Sequence, residues 1–115
     1  MYNFEKLLVW QEAMKLSEMA YEIAKKLPVE EKFALSDQLR RASTSVCLNI
    51  AEGSGSKSRK FFASFIEISI KSLYETITIF KLIERIYKVN CTKELEQCDL
   101  INKLAHGLLN SIKPD

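Results

Sequence analysis

Residues 49–60 read NIAEGSGSKSRK, a stretch in which Gly53 and Gly55 are followed by serines and by Lys57, Arg59 and Lys60. Glycines, hydroxyls and a lysine are the ingredients of a phosphate-binding loop, but the spacing is wrong for one. A Walker loop, GxxxxGK[ST], follows a strand and sets its lysine directly after the last glycine, where it reaches the phosphates. Here Lys57 stands two residues beyond Gly55, and a helical pattern precedes it. The dinucleotide pattern GxGxxG lacks its third glycine. The same residues suit a turn between helices, with Gly53 in the left-handed conformation that closes one helix and Ser56 or Ser58 capping the next. The chemistry that survives is anion binding, because the free amides of a helix start attract negative charge and basic side chains stand beside them. Across residues 36–60 the basic Arg40, Arg41, Lys57, Arg59 and Lys60 outnumber the acidic Asp37 and Glu52. Arg40, Lys57, Arg59 and Lys60 are the candidate contacts to an RNA or DNA backbone. The alternative is an ordinary solvated cluster.

Other chemistry is thin. His106 is the single histidine, so no histidine pair can hold a metal, and its place beside Gly107 suits a surface or helix-end residue. A di-iron bundle needs Glu-x-x-His pairs, and none occurs. Neither a Ser-His-Asp nor a Cys-His arrangement can be assigned. No catalytic residue, metal site or cofactor is expected, and the chain reads as a non-enzyme. The three cysteines, Cys47, Cys91 and Cys98, are an odd number without a CxxC pair, which fits a reducing, cytoplasmic setting.

A second set of polar residues is spaced for packing. Gln38, Arg41, Ser45, Asn49 and Glu52 step by three or four residues and share one helix face. Ser69, Ser72 and Thr76 stack in the same way on a later helix, with Glu75 at their edge. Arg41 or Asn49 pairing with Glu75 would make a polar seam that fixes packing register.

Those residues need helices to hold them. Val9, Ala13, Leu16, Ala20, Ile23 and Leu27 recur at helical spacing and predict a helix over residues 7–27, stopped by Pro28. In the connection that follows, Phe33 and Leu35 are expected to tuck under the bundle. A second helix is expected over 36–52, with Ser36 as its cap and Leu39, Ser43, Val46 and Ile50 as its apolar line. A third spans 58–88, about 45 Å at 1.5 Å per residue. Its middle, ISIKSLYETITIF, is rich in β-branched residues, but the flanks keep a helical period. The fourth, 93–112, follows a break at NCT where Asn90 or Thr92 can cap. It carries Leu95, Cys98, Ala105, Leu109 and Ile112 on one side, widened by Ile101, Leu104 and Leu108. Gly107 inside it marks close packing or an early fray. Four helices with short links predict an all-α, antiparallel up-and-down four-helix bundle, one domain over residues 1–115.

Composition agrees. The 115 residues, with 47% hydrophobic content and a net charge of +2, make a single domain with a core and without the strong basicity of a general nucleic-acid binder. The N-terminus has no signal-peptide pattern, and no stretch is apolar enough to predict a membrane span. On the third helix Phe62, Ile66, Leu73, Ile77, Phe80 and Tyr87 form one apolar line, while Phe61, Phe65, Ile68, Ile79 and Ile86 form another. One core needs an arc of about 100°; the surplus points to a second copy of the chain covering part of this helix. The competing reading is a central helix covered by its own neighbours.

The blocks FEKLLVWQEAMKLSEMAYEI and LSDQLRRASTSVCLNIAEGSGSKSRKFFASFIEISIKSLYET resemble the proteins encoded in intervening sequences of bacterial 23S ribosomal RNA genes, also called the S23 ribosomal protein family. The resemblance is carried by Leu7, Val9 and Trp10, then Gln38, Leu39, Arg41, Ala42, Ser45, Asn49, Ile50, Ala51, Glu52 and Gly53, and then Phe61, Phe65, Ser72, Leu73 and Glu75. Phe33 stands where such proteins often have tyrosine, and Cys47 falls inside the central block. The resemblance implies a four-helix bundle assembling as a ring-like homopentamer. It also implies kinship with accessory proteins of diversity-generating retroelements, which bind nucleic acid and partner a reverse transcriptase. The functional expectation is an oligomeric, non-enzymatic scaffold that meets RNA or DNA backbone through a basic rim. The alternative is a protein–protein adaptor with an unidentified protein partner and no nucleic-acid role.

Overall fold

The apolar face of the first helix is buried as its spacing predicts: Val9, Ala13, Leu16, Ala20 and Ile23 all lie inside. A computed structural model describes residues 1–112. A short 3-10 turn at Asn3–Lys6 leads into α1 (Leu8–Lys25), and a second at Val29–Glu31 leads into α2 (Leu35–Ser54). Two longer helices complete the fold, α3 (Arg59–Tyr87) and α4 (Thr92–Ile112). Residues 113–115, part of the expected domain, lie outside the described residues.

Each helix packs on two others: α2 on α1 and α3, α4 on α1 and α3. With short connections between successive helices this is an antiparallel, up-and-down bundle in which α1 faces α3 only across the diagonal. The 29 residues of α3 reach about 43 Å, close to the 46 Å long axis of the molecule. Its β-branched middle is helical throughout, because Ile70, Leu73, Thr76 and Phe80 keep a period that buries one stripe. Leu16, Leu39, Val46, Ile50, Ile66, Leu73, Phe80, Ile83, Cys98 and Ile101 belong to one continuous core.

The helix ends depart from expectation in instructive ways. Ser36 does not cap α2; its hydroxyl is buried and donates to the Ala24 carbonyl at 3.4 Å, tying the start of α2 to the end of α1. The Glu31 carboxylate accepts the Leu35 N–H at 3.3 Å instead, and its other oxygen accepts the Tyr87 hydroxyl, which joins the start of α2 to the end of α3. That bond to a carboxylate holds the Tyr87 phenol above its ordinary pKa.

Gly53 does not take a left-handed turn. Among the described residues no glycine has a positive φ, and Lys88, at φ 57°, is the single residue that does; it closes α3. Gly53 lies inside α2 and is buried. A Cβ there would stand 2.6 Å from the Phe65 Cβ and 3.0 Å from the Phe62 ring, so glycine is what lets α2 approach α3. The helix therefore runs on to Ser54. Ser58 does cap α3, accepting the Phe61 N–H at 3.0 Å. Asn90 accepts the Thr92 N–H at 2.9 Å at the start of α4. Gly107 neither packs closely nor ends the helix: an added Cβ would meet nothing within 4 Å, and α4 continues to Ile112.

Phe33 also overturns its expectation. It is 86% exposed, with the Lys32 ammonium 5.4 Å from its ring, while Leu35 packs against the core. Phe33 lies in the turn over residues 32–34, whereas Leu35 already belongs to α2.

Candidate nucleic-acid interface

The α2–α3 turn lies at the end of the bundle where α1 begins and α4 finishes, as antiparallel order requires. Arg59 proves the proximity: its guanidinium donates to the Ser111 carbonyl at 2.9 Å and the Ile112 carbonyl at 3.2 Å. Those carbonyls belong to the last described turn of α4, where a cation is favoured by the helix dipole. Arg59 thus has a structural task, although its side chain is exposed. Lys57 and Lys60 are exposed, and among the described residues neither pairs with a carboxylate. Lys6 shares this end of the bundle and was missed by local reading of residues 36–60; its signal was the topology, which returns α1 to the same end.

Arg40 does not join them. Fourteen residues of α2 separate it from Ser54, about 21 Å at 1.5 Å per residue. There its guanidinium donates to the Lys32 carbonyl at 3.1 Å and lies 4.0 Å from Asp37. The expected four-residue cluster therefore splits into Lys57, Arg59 and Lys60 at one end and Arg40 toward the other.

The polar seam forms from its small members. The Ser45 and Ser72 hydroxyls share a 2.8 Å hydrogen bond across α2 and α3, and the Asn49 amide donates to the Ser45 carbonyl and hydroxyl at 2.8 and 2.9 Å. Ser69 donates to the Val46 carbonyl at 2.7 Å from full burial. Among the described residues no pairing with Glu75 occurs: Arg41, 79% exposed at its side chain, binds Asp37 at 2.9 Å within its own helix, and Glu75 is exposed. Gln38 and Glu52 do not enter the seam either; both are exposed. The physical reason is that Arg41 and Glu75 sit on the outer rims of α2 and α3, where water solvates both charges and a closer ion pair gains little.

Other polar contacts across the helices were not foreseen. Ser17 of α1 donates to the Ser43 carbonyl at 3.1 Å. Gln97 of α4 donates to the Glu12 carbonyl at 2.9 Å and its carboxylate at 3.1 Å. That amide, and then Lys15, hold the carboxyl of the buried Glu12 below its ordinary pKa, against the opposing effect of burial. His106 lies 3.2 Å from the Tyr74 hydroxyl, which also donates to Asn102 at 3.1 Å. Burial pushes the thiol of Cys91 up to about 11 and that of Cys98 up to about 12, so neither is a poised nucleophile.

The second apolar line of α3 is left only partly outside. Its outward positions, Phe61, Ile68, Glu75 and Leu82, recur every seven residues, the repeat of a helix–helix seam. Phe61, Ile68, Leu82 and Ile86 are exposed, while Ile79 is buried in the core. A second open surface is a groove of about 710 Å³ between α1 and α2, lined by Ser17, Met19, Tyr21 and Thr44 among others. No helix is long and apolar enough to cross a membrane, among the described residues.

Comparison with known proteins supports the same architecture. A solved structure from Bacteroides thetaiotaomicron VPI-5482, a protein of unknown function from the S23 ribosomal protein family, is similar at 25% identity and a TM-score of 0.80; the match covers 90% of this chain and 96% of that one. No curated protein matches. The profile of the 23S rRNA-intervening sequence proteins matches residues 5–110, nearly the whole bundle. The chain belongs to the 23S rRNA-intervening sequence protein family.

Proposed function

We propose that the protein is a non-enzymatic, oligomeric scaffold of the cytoplasm whose basic bundle end contacts the phosphate backbone of RNA or DNA. The observation that carries the reading is the gathering of Lys6, Lys57, Arg59 and Lys60 at one end, where among the described residues Lys57 and Lys60 have no carboxylate partner and Glu5 is engaged by the Tyr2 N–H at 2.7 Å. One subunit offers few phosphate contacts, so affinity depends on repetition: linked copies raise binding far beyond one site. The exposed seam of Ile68, Leu82 and Ile86 on α3 supports a second copy as its cover, and five copies is the number the family likeness implies. Three buried, unpaired thiols suit a reducing compartment.

The test is binding of labelled RNA and DNA at about 50 mM salt, repeated at about 200 mM. Loss of binding with salt, and weaker binding when Lys57 and Lys60 become alanine, is the expected result; absence of binding refutes the reading. The α1–α2 groove, with exposed Tyr21 beside it, favours a second reading, a protein–protein adaptor. Its mark would be a stoichiometric protein partner, free of nucleic acid, displaced by changing Tyr21.

A further inference from the structure

The basic end carries aromatic rings as well as lysines. Tyr2 and Phe4 stack with centroids 5.8 Å apart and planes 5° from parallel. Phe4 in turn meets Trp10 edge-on at 5.2 Å and 64°. Trp10 packs against the core, whereas Tyr2 is 75% exposed. The row of rings thus starts inside the molecule and ends on an open face. Its backbone is pinned: the Tyr2 N–H donates to the Glu5 carboxylate at 2.7 Å, the Glu5 N–H returns to the Tyr2 carbonyl at 3.1 Å, and Gln11 donates to the Glu5 carbonyl at 2.8 Å. Tyr2 is therefore a presented ring on an anchored segment. Phe61, in the first turn of α3, is 61% exposed, and its N–H is fixed by Ser58.

Large rings held in water beside lysines suit a ligand with flat apolar faces and negative charge. Unpaired nucleotides have both, since every base has a face to stack and every phosphate a charge to pair. A duplex hides its base faces within the stack and offers only phosphates and edges. An acidic protein segment would satisfy the lysines but supplies no flat partner to continue the Tyr2–Phe4 stack.

We infer that this end of the bundle binds unpaired RNA or DNA, with Tyr2 and Phe61 stacking on bases while Lys6, Lys57 and Lys60 meet the phosphates. The inference rests on the backbone-contact reading above and narrows its ligand to single strands.

The experiment is fluorescence anisotropy of the full-length protein with labelled single strands of about 12 nucleotides, one RNA and one DNA, and with the matching duplex. Single strands are expected to bind more tightly than the duplex, and the RNA and DNA arms show whether the sugar matters. Tyr2→Ala and Phe61→Ala should each weaken single-strand binding roughly tenfold while leaving duplex binding and the salt dependence unchanged. Both side chains are exposed, so the melting temperature should hold; Tyr2→Leu and Phe61→Leu, which keep apolar bulk without a ring, should fail like alanine. If the ring variants bind single strands as the wild type does while Lys57→Ala and Lys60→Ala weaken binding, stacking is refuted and backbone contact stands. If no nucleic acid binds, both fall. If Phe61→Ala changes the mass of the assembly and not the affinity, Phe61 is a contact between copies and the inference fails. Capture of an acidic peptide in preference to single strands overturns it too.

Discussion

Two glycines in this chain have opposite reasons for being glycine, and opposite consequences when replaced. At Gly53 an added methyl would stand 2.6 Å from the Phe65 Cβ. Forcing α2 and α3 apart costs about 1–3 kcal/mol, which exceeds the gain of about 1 kcal/mol in helix propensity. Gly53→Ala should therefore lower the urea midpoint. At Gly107 nothing stands within 4 Å, so Gly107→Ala should raise stability by up to about 1 kcal/mol. The sequence shows a glycine in both places but not the helix that approaches it, which is why Gly53 reads locally as a turn. Ser58 was legible because its partner, the Phe61 N–H, lies three residues away. Glu12 makes a pH-dependent contribution of predictable sign. Its carboxyl is held below its ordinary value of 4.5, mainly by the Gln97 amide and then by Lys15. The folded state thus binds that proton less readily than the unfolded chain, so the stabilisation is present above that value and is lost as pH falls through the depressed folded pKa. Gln97→Ala should make the urea midpoint fall less steeply on acidification than in the wild type.

At the scale of elements, helix identity was legible from period and punctuation, and the boundaries moved by one or two residues where side-chain bonds and close packing set them. The start of α2 is one case, fixed by Glu31 and by Ser36 reaching to Ala24. Polar seams were half legible. Spacing placed Ser45, Asn49 and Ser72 on facing lines, and they do meet; it could not separate them from Arg41 and Glu75, because a hydroxyl near the helix contact is desolvated while a long charged chain reaches water from the rim. The surplus apolar line on α3 was legible in outline. The structure removes Ile79 from it and half-buries Phe65, leaving Phe61, Ile68 and Ile86 exposed, with Leu82 exposed beside them. Placing a charge in that line tests its role: Ile68→Glu should shift the assembly toward monomer in light scattering while the helical signal persists. A monomeric wild type of about 13.2 kDa would contradict the proposed assembly.

At the scale of the whole molecule, an up-and-down bundle sorts its charges by end. Lys6 joins Lys57, Arg59 and Lys60 because α1 starts where α2 finishes, while Arg40 is carried toward the opposite end by the length of α2. Linear proximity suggested a cluster of four; the bundle axis divides it. Arg59 is further drawn into closing α4, so its replacement would mix a stability loss with any binding loss, and the lysines are the cleaner probes. The most direct measurement is the salt dependence of RNA and DNA binding for the wild type and for the Lys57→Ala/Lys60→Ala double variant. The proposal requires log affinity to fall linearly with log salt, with a slope shallower in the variant by about 0.7–0.9 for each phosphate that the assembly no longer neutralises. Equal slopes in the two proteins, or no binding at about 50 mM salt, would contradict a basic bundle end that meets nucleic acid.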